Sequence, residues 1–218
     1  MRVYHFIDEL FGIDDIQRRR IKIARIDKLN DPFDWFSVNW PNQRFRMAHH
    51  AMVKKMAENT GLLCFSRDWR NPVQWSHYAD KHEGLCLGFD VPDTWVEPVV
   101  YQQRRIVPDI LRAIFHQDQA EELVRASLIT KFSHWRYEQE VRAFVRLDPV
   151  TEVNGNFFFD FSDQLTLREV IVGVRSNLNR ERLHLALGNL VSEVRCRKAR
   201  LAFNTFRIVE QRKASLWL

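Results

Sequence analysis

Glu138 and Glu140 stand two residues apart in the run Tyr137-Glu138-Gln139-Glu140-Val141-Arg142. On a β-strand the side-chain period is two, so both carboxylates and Arg142 share one face, with the two acid Cα atoms roughly 7 Å apart. Paired carboxylates raise one another's proton affinity, and a neighbouring guanidinium lowers it again. An acid that must stay ionised beside a developing positive charge needs that balance. The same residues also fit a solvent-facing charged strip at a strand start.

A second dense run is Trp75-Ser76-His77-Tyr78-Ala79-Asp80-Lys81-His82. On a helix Ser76 stacks with Asp80 and Tyr78 with His82. The five-residue step from His77 to His82 does not align two ligands on one helical face, so no metal site is expected. Trp75 and Tyr78 suit the wall of a ligand pocket; they equally suit a helix end packed on the core. His5, between Tyr4 and Phe6 in an alternating apolar run, is either a ligand contact or a hydrogen-bonded structural residue. Asn30-Asp31-Pro32-Phe33-Asp34 breaks regular structure, and its Asn and Asp side chains close local turns.

The elements that must position these residues follow from periodicity. Strands are expected at 2–7, 21–26, 61–66, 85–91, 97–102, 141–147 (reaching back to Glu138), 157–161 and 169–174. Two more are expected within 194–210. Helices are expected between Asp8 and Arg20, over 42–59, after Pro72, over 108–131 with an interruption at His116-Gln117-Asp118, and over 179–191. In the 42–59 helix the buried stripe reads as Phe45, Ala48, Met52 and Met56. Asn154-Gly155 predicts a hairpin joining 141–147 to 157–161. Clustered strands point to an α+β fold in a single domain spanning 1–218, with a split, mostly antiparallel sheet of eight to ten strands and three or four helices.

A chain of 218 residues buries enough surface to need no staples. Its three cysteines form no CxxC pair, and Cys64 and Cys86 sit in apolar runs, which fits a reducing, cytoplasmic setting. The opening MRVYHFIDEL lacks the apolar stretch of a signal peptide, and no apolar run is long enough for a membrane span. Seven glycines and no GxGxxG, GxxxxGK[ST] or GxSxG disfavour Rossmann, P-loop and α/β-hydrolase chemistry. The net charge of +5 is concentrated at the end: residues 180–218 hold nine Lys/Arg against three Asp/Glu. Such a stretch attracts phosphates, or is simply a solvated basic surface.

In content and order these segments resemble the bacterial DUF2971 family, some of whose members occur in phage-defence (abortive-infection) contexts. The resemblance is carried by Tyr4-His5-Phe6, Asn30 to Asp34, Cys64-Phe65-Ser66, Trp75 to Asp80, His82, Gly84, Gly88-Phe89-Asp90, Trp135, Tyr137-Glu138, Glu140, Arg142 and Glu169 to Gly173. A more distant likeness is to the ADP-ribosyltransferase superfamily, in which a split antiparallel sheet carries a dispersed His–Tyr–Glu triad. His5, Tyr78 and Glu138-x-Glu140 fall in that order. The likeness implies a cleft for NAD: His5 holding the adenosine-side ribose, Tyr78 stacking on nicotinamide, Glu140 bonding the nicotinamide-ribose hydroxyl, and Glu138 assisting. Tyr78 reads as helix or loop where that superfamily has a strand. Its Ser-Thr-Ser stretch has no clear counterpart, Cys64-Phe65-Ser66 being a poor substitute.

The expected catalytic pair is thus Glu140 and Glu138, and the expected ligand-binding set is His5, Asn30, Asp31, Trp75, Ser76, His77, Tyr78 and Arg142. The activity expected is NAD-using ADP-ribosyl transfer or NAD glycohydrolysis by a defence or toxicity effector, with no membrane partner. One alternative is a nucleic-acid-binding or metal-dependent nuclease module using Arg195, Arg197, Lys198 and Arg200 with His77, His82, Glu138 and Glu140. Another is a non-catalytic sensor or interaction domain in which the same motifs form a buried polar network.

Overall fold

The computed structural model describes residues 1–217, leaving aside the side chains of Leu111, Ala113, Ile114 and Thr151. The alternating opening forms β1 (Arg2–Ile7), and Asp8 caps α1 (Glu9–Arg18) by accepting from the Phe11 amide. IKIARI splits into β2 (Arg20–Lys22) and β3 (Ala24–Arg25). Next come α2 (Gln43–Asn59), β4 (Thr60–Ser66), α3 (Pro72–Tyr78) and β5 (Leu85–Asp90). The run 97–102 divides into β6 (Glu97–Pro98) and β7 (Val100–Gln102). Helices α4 (Ile110–Phe115) and α5 (Gln117–Ile129) part at His116, and β8 (Thr130–Phe132) follows. The remainder is β9 (Glu140–Arg146), β10 (Glu152–Val153), β11 (Asn156–Asp160), β12 (Thr166–Val172), α6 (Arg180–Leu187), β13 (Arg195–Leu201) and β14 (Ile208–Glu210).

The fold is α+β. Nine strands form one sheet in the order β14-β13-β12-β5-β1-β4-β9-β6, with β3 on β4. Every pairing in it is antiparallel except β12 with β13. The strand is apolar from Leu85 to Phe89 because both faces of β5 are covered. Leu85, Leu87 and Phe89 join the larger core, while Cys86 packs with Trp69, Trp75 and Ile171 on the other side. A third cluster seats Ile26, Trp35, Val53, Ala57 and Leu62 beneath α2.

The sheet is split where function would need it. Strand β4 runs along β9 from Thr60↔Arg146 to Ser66↔Glu140 without a break. Against β1 it has one registered pair, Tyr4↔Ser66, because the near end of the same edge is taken by β3 at Gly61 and Leu62. The two strands diverge beyond that pair. His5 spans the gap, with Nδ1 3.1 Å from the Cys64 carbonyl. No helix among the described residues is long and apolar enough to cross a membrane.

Four expectations need correction. Strand β9 starts at Glu140; residues 133–138 form a 3-10 turn ended by Gln139 in the left-handed conformation (φ 46). The Asn154-Gly155 turn forms, with both residues at positive φ. It joins β10 to β11, and β11 then pairs with β2, not with 141–147. In α2 the buried residues are His49, Val53 and Ala57. That stripe lies one residue on from the one expected, and His49 is tolerated there because it bonds the Trp35 carbonyl at 2.6 Å. Among the described residues six helices form where three or four were expected: the short segments after Asp8 and Pro72 both count as helices, and the interruption at His116 divides 108–131 into two.

Candidate functional site

The cleft at the split is lined by Tyr4, His5 and Phe6 of β1, Cys64, Phe65 and Ser66 of β4, Gln74 and Tyr78 of α3, Leu29, Asn30 and Asp34 of the 29–34 loop, and Lys131, Glu138 and Glu140. Its volume is about 130 Å³. Each polar wall residue is delivered by a distinct local device. Asn71 caps α3 by accepting from the Val73 amide, which sets the helix that carries Tyr78. The Glu138 turn is tied down by Ser66, whose hydroxyl donates to the Glu138 carbonyl at 2.6 Å, and by Gln74, which donates to the Tyr137 carbonyl at 3.1 Å. The left-handed Gln139 then turns the chain into β9. Glu138 and Glu140 therefore come together from a turn and a strand, not along one strand face.

At the floor lies a buried charge network. Lys131 Nζ donates to Glu138 Oε2 at 2.7 Å and to Glu140 Oε2 at 3.1 Å, and stands 3.9 Å from Asp34. Arg142 grips Glu140 through Nε at 2.7 Å and a terminal nitrogen at 3.0 Å, and reaches Asp34 at 2.8 Å. The Tyr78 hydroxyl donates to Glu138 Oε1 at 2.5 Å and accepts from Asn30 at 2.8 Å. All five charged residues are at most 6% exposed. Three carboxylates face two cations, so the network carries one negative charge in excess.

The proton affinities follow from that excess. Burial alone would raise every acid, but Arg142 and Lys131 outweigh it at Glu140 and hold its carboxyl at about 2. At Glu138 and Asp34 burial wins, and both are raised despite their cationic neighbours. Burial and the Glu138 charge push the Tyr78 phenol far up, so it stays a donor. Burial lowers His5, keeping it neutral. With Nδ1–H donating to Cys64, its Nε2 keeps a free lone pair. Two neighbouring carboxyls driven apart in this way divide naturally into a fixed anion, Glu140, and a proton-exchanging group, Glu138.

Of the residues singled out in the sequence, His5, Asn30, Tyr78, Glu138 and Glu140 line this cleft. Arg142 lies behind Glu140, fully buried, and acts through it. Trp75 is in the core: its Nε1 donates to the Trp69 carbonyl at 2.6 Å and its ring meets Phe6 edge-on. Ser76 and His77 face solvent, His77 with Nδ1 3.1 Å from the Tyr137 hydroxyl. Asp31 is buried in its own turn, accepting from the Phe33 amide, and borders a different cleft. His82 lies beyond α3 and does not join the two glutamates. Among the described residues no cluster of three His, Cys, Asp or Glu side chains has the arrangement of a metal site. Lys131 and Asp34 were not foreseen, although they complete the network.

The basic C-terminal residues are largely engaged within the fold. Arg195 pairs with Glu210, and Arg197 with Glu169 and Glu210. Lys198 donates to the Gly173 and Ser176 carbonyls, both at 2.6 Å.

An α+β fold with a divided sheet and a buried acid–base network at the division thus defines the class. Over residues 74–143, which hold both WSHYAD and YExExR, the chain matches the family model DUF2971, described as a protein of unknown function. The match spans about a third of the chain, and over that segment the resemblance read from the two motifs holds. No curated protein and no solved structure matches the chain, so the ADP-ribosyltransferase likeness gains no support from comparison.

Proposed function

We propose that the split-sheet cleft is the active site of an NAD-using enzyme, an ADP-ribosyltransferase or NAD glycohydrolase, acting as an effector in bacterial defence or toxicity. The observation that carries this reading is the surplus negative charge at the cleft wall. Breaking the bond between ribose and nicotinamide loads positive charge onto the sugar, as in glycoside hydrolysis. A pre-set anion there stabilises the transition state more than the ground state.

The hydrogen bonds refine the roles. Glu140 Oε2 already accepts from both Lys131 and Arg142, so Glu140 supplies the fixed field. Each Glu138 oxygen takes a single donor, which leaves Glu138 to accept from a sugar hydroxyl or from the attacking water. His5 Nε2 offers a further acceptor. The cleft's 130 Å³ suits the nicotinamide end alone. A neighbouring cleft of about 320 Å³ shares Lys131 as a wall and carries Arg104, Arg105, Phe33 and Phe36; it suits the phosphates and adenosine.

The test is nicotinamide release from NAD by the purified protein, followed by chromatography. Glu138→Gln is expected to lower the rate about 10²–10³-fold while remaining folded. Absence of both nicotinamide release and any NAD-induced rise in melting temperature would overturn the proposal.

The small volume favours a second reading, a non-catalytic sensor or interaction domain whose charge network holds the fold. On that reading Glu138→Gln lowers the melting temperature, and NAD is neither bound nor consumed.

A further inference from the structure

On the opposite end of the sheet a groove of about 520 Å³ opens between the 69–70 loop and the β13–β14 hairpin. Arg70, Arg197, Arg200 and Arg212 line it, with Glu210 as its acid. That acid is taken by Arg195 and Arg197. Arg212 has no ion pair among the described residues, and Arg200 spends one nitrogen on the Leu201 carbonyl. Arg197 is committed to Glu169 and Glu210, so Arg70, Arg200 and Arg212 supply the donors the groove presents.

The hairpin adds aromatics that nothing among the described residues covers. Phe203 is 89% exposed and Phe206 98% exposed. The Arg200 guanidinium lies 4.5 Å from the Phe203 ring centre, so a cation and a ring already form one platform. Free guanidinium donors beside bare rings match a chain that alternates phosphates with flat bases. A duplex hides its bases from such rings, and a phosphate alone leaves the rings unused. We infer that this groove binds single-stranded nucleic acid, the arginines taking phosphates and Phe203 and Phe206 stacking on unpaired bases. The inference is independent of what the split-sheet cleft does.

Fluorescence anisotropy of the full chain with labelled 12-nucleotide oligo-dT and oligo-U tests it. Saturable binding is expected, weakening steeply between about 50 and 200 mM salt. Phe203→Ala with Phe206→Ala should weaken it at least about fivefold, and Arg200→Ala with Arg212→Ala should both weaken it and flatten the salt slope. These side chains are exposed or rim the groove, so an unchanged melting temperature separates lost contacts from lost fold. The inference is overturned by absence of binding. It is equally overturned if the double Phe variant binds as tightly as the parent, or if polyphosphate or anionic phosphatidylserine vesicles compete as well as the oligonucleotides do.

Discussion

Replacing Lys131 by Met removes the cation on which the site's charge balance turns. The thioether keeps most of the volume, so the change is mainly electrostatic. Lys131 holds Glu138 at 2.7 Å and Glu140 at 3.1 Å, with Asp34 at 3.9 Å. Without it three buried carboxylates face Arg142 alone. Breaking a buried pair by deleting one partner costs about 3–5 kcal/mol, because the remaining charge is left uncompensated. For a chain of this size each kcal/mol moves the melting temperature by about 2–4 °C, so a fall of roughly 6–20 °C is expected at neutral pH. The deficit must depend on pH. Glu138 and Asp34 are already raised by burial, and losing Lys131 raises them further. An acid raised on folding destabilises the protein increasingly as pH rises through its folded pKa, and the penalty vanishes below its unfolded pKa. The variant's deficit should therefore shrink on going from pH 8 to pH 5. Glu140 behaves oppositely. It is depressed from 4.5 to about 2, so its contribution is present above 4.5 and lost as pH falls through 2. Circular-dichroism melts at pH 5, 6, 7 and 8 provide the measurement. A melting temperature within about 2 °C of the parent at pH 7, or a deficit that widens on acidification, would refute the charge argument.

Asp15 is buried with its Oδ2 unpartnered, and burial followed by the Asp14 charge pushes its carboxyl to about 7. Asp15→Asn should therefore be more stable than the parent by about 1–3 kcal/mol at pH 8, with the gap closing below pH 4; denaturant titrations showing a gap independent of pH would count against this. Gly61→Ala drives a Cβ into Ile23 Cγ2 and to 2.7 Å from Leu147 Cδ2, an overpacking worth about 1–3 kcal/mol. Gly155→Ala meets no atom but must hold φ at 77, costing about 1–2 kcal/mol; thermal melts that leave either variant unchanged would show the corresponding contact or turn to be looser than it looks. If the proposed activity is right, oxidised NAD, whose nicotinamide ring is cationic, should raise the melting temperature more than NADH does. Equal shifts would remove the surplus charge from recognition.

Much of the fold could be read from pattern. RVYHFI, LCLGF and VRAFVR alternate or run apolar as strands must, and Asn179 marks the start of α6. The error at Glu138 has a local cause. Residues 138–142 have strand composition, but the chain enters the sheet through a left-handed Gln139, and nothing in the residue types announces that. Lys131 escaped notice because lysine is almost never fully buried, and its partners lie seven and nine residues away with no period linking them. Its flanks, Ile129, Thr130 and Phe132, were the available sign. Asp34 was legible only as part of a turn. Its partner Arg142 is 108 residues distant, a contact that only the sheet's topology creates. Trp75 misled for the opposite reason: an aromatic beside polar residues looks like a pocket wall, yet its indole N–H finds a backbone carbonyl and the ring goes inward.

The choice of cations completes the logic of the site. Arg142 keeps its charge at any pH and presents a rigid fork, and it is spent on Asp34 and on Glu140, the acid held farthest from protonation. Lys131 is a compact ammonium with rotatable donors, and it sits between the fixed acid and Glu138. The network is therefore stiff behind Glu140 and adjustable in front of it. A proton on Glu138 and a positive charge entering the cleft satisfy the same excess. If the proposed activity is right, one displaces the other, and binding of the cationic ligand is accompanied by proton release from Glu138.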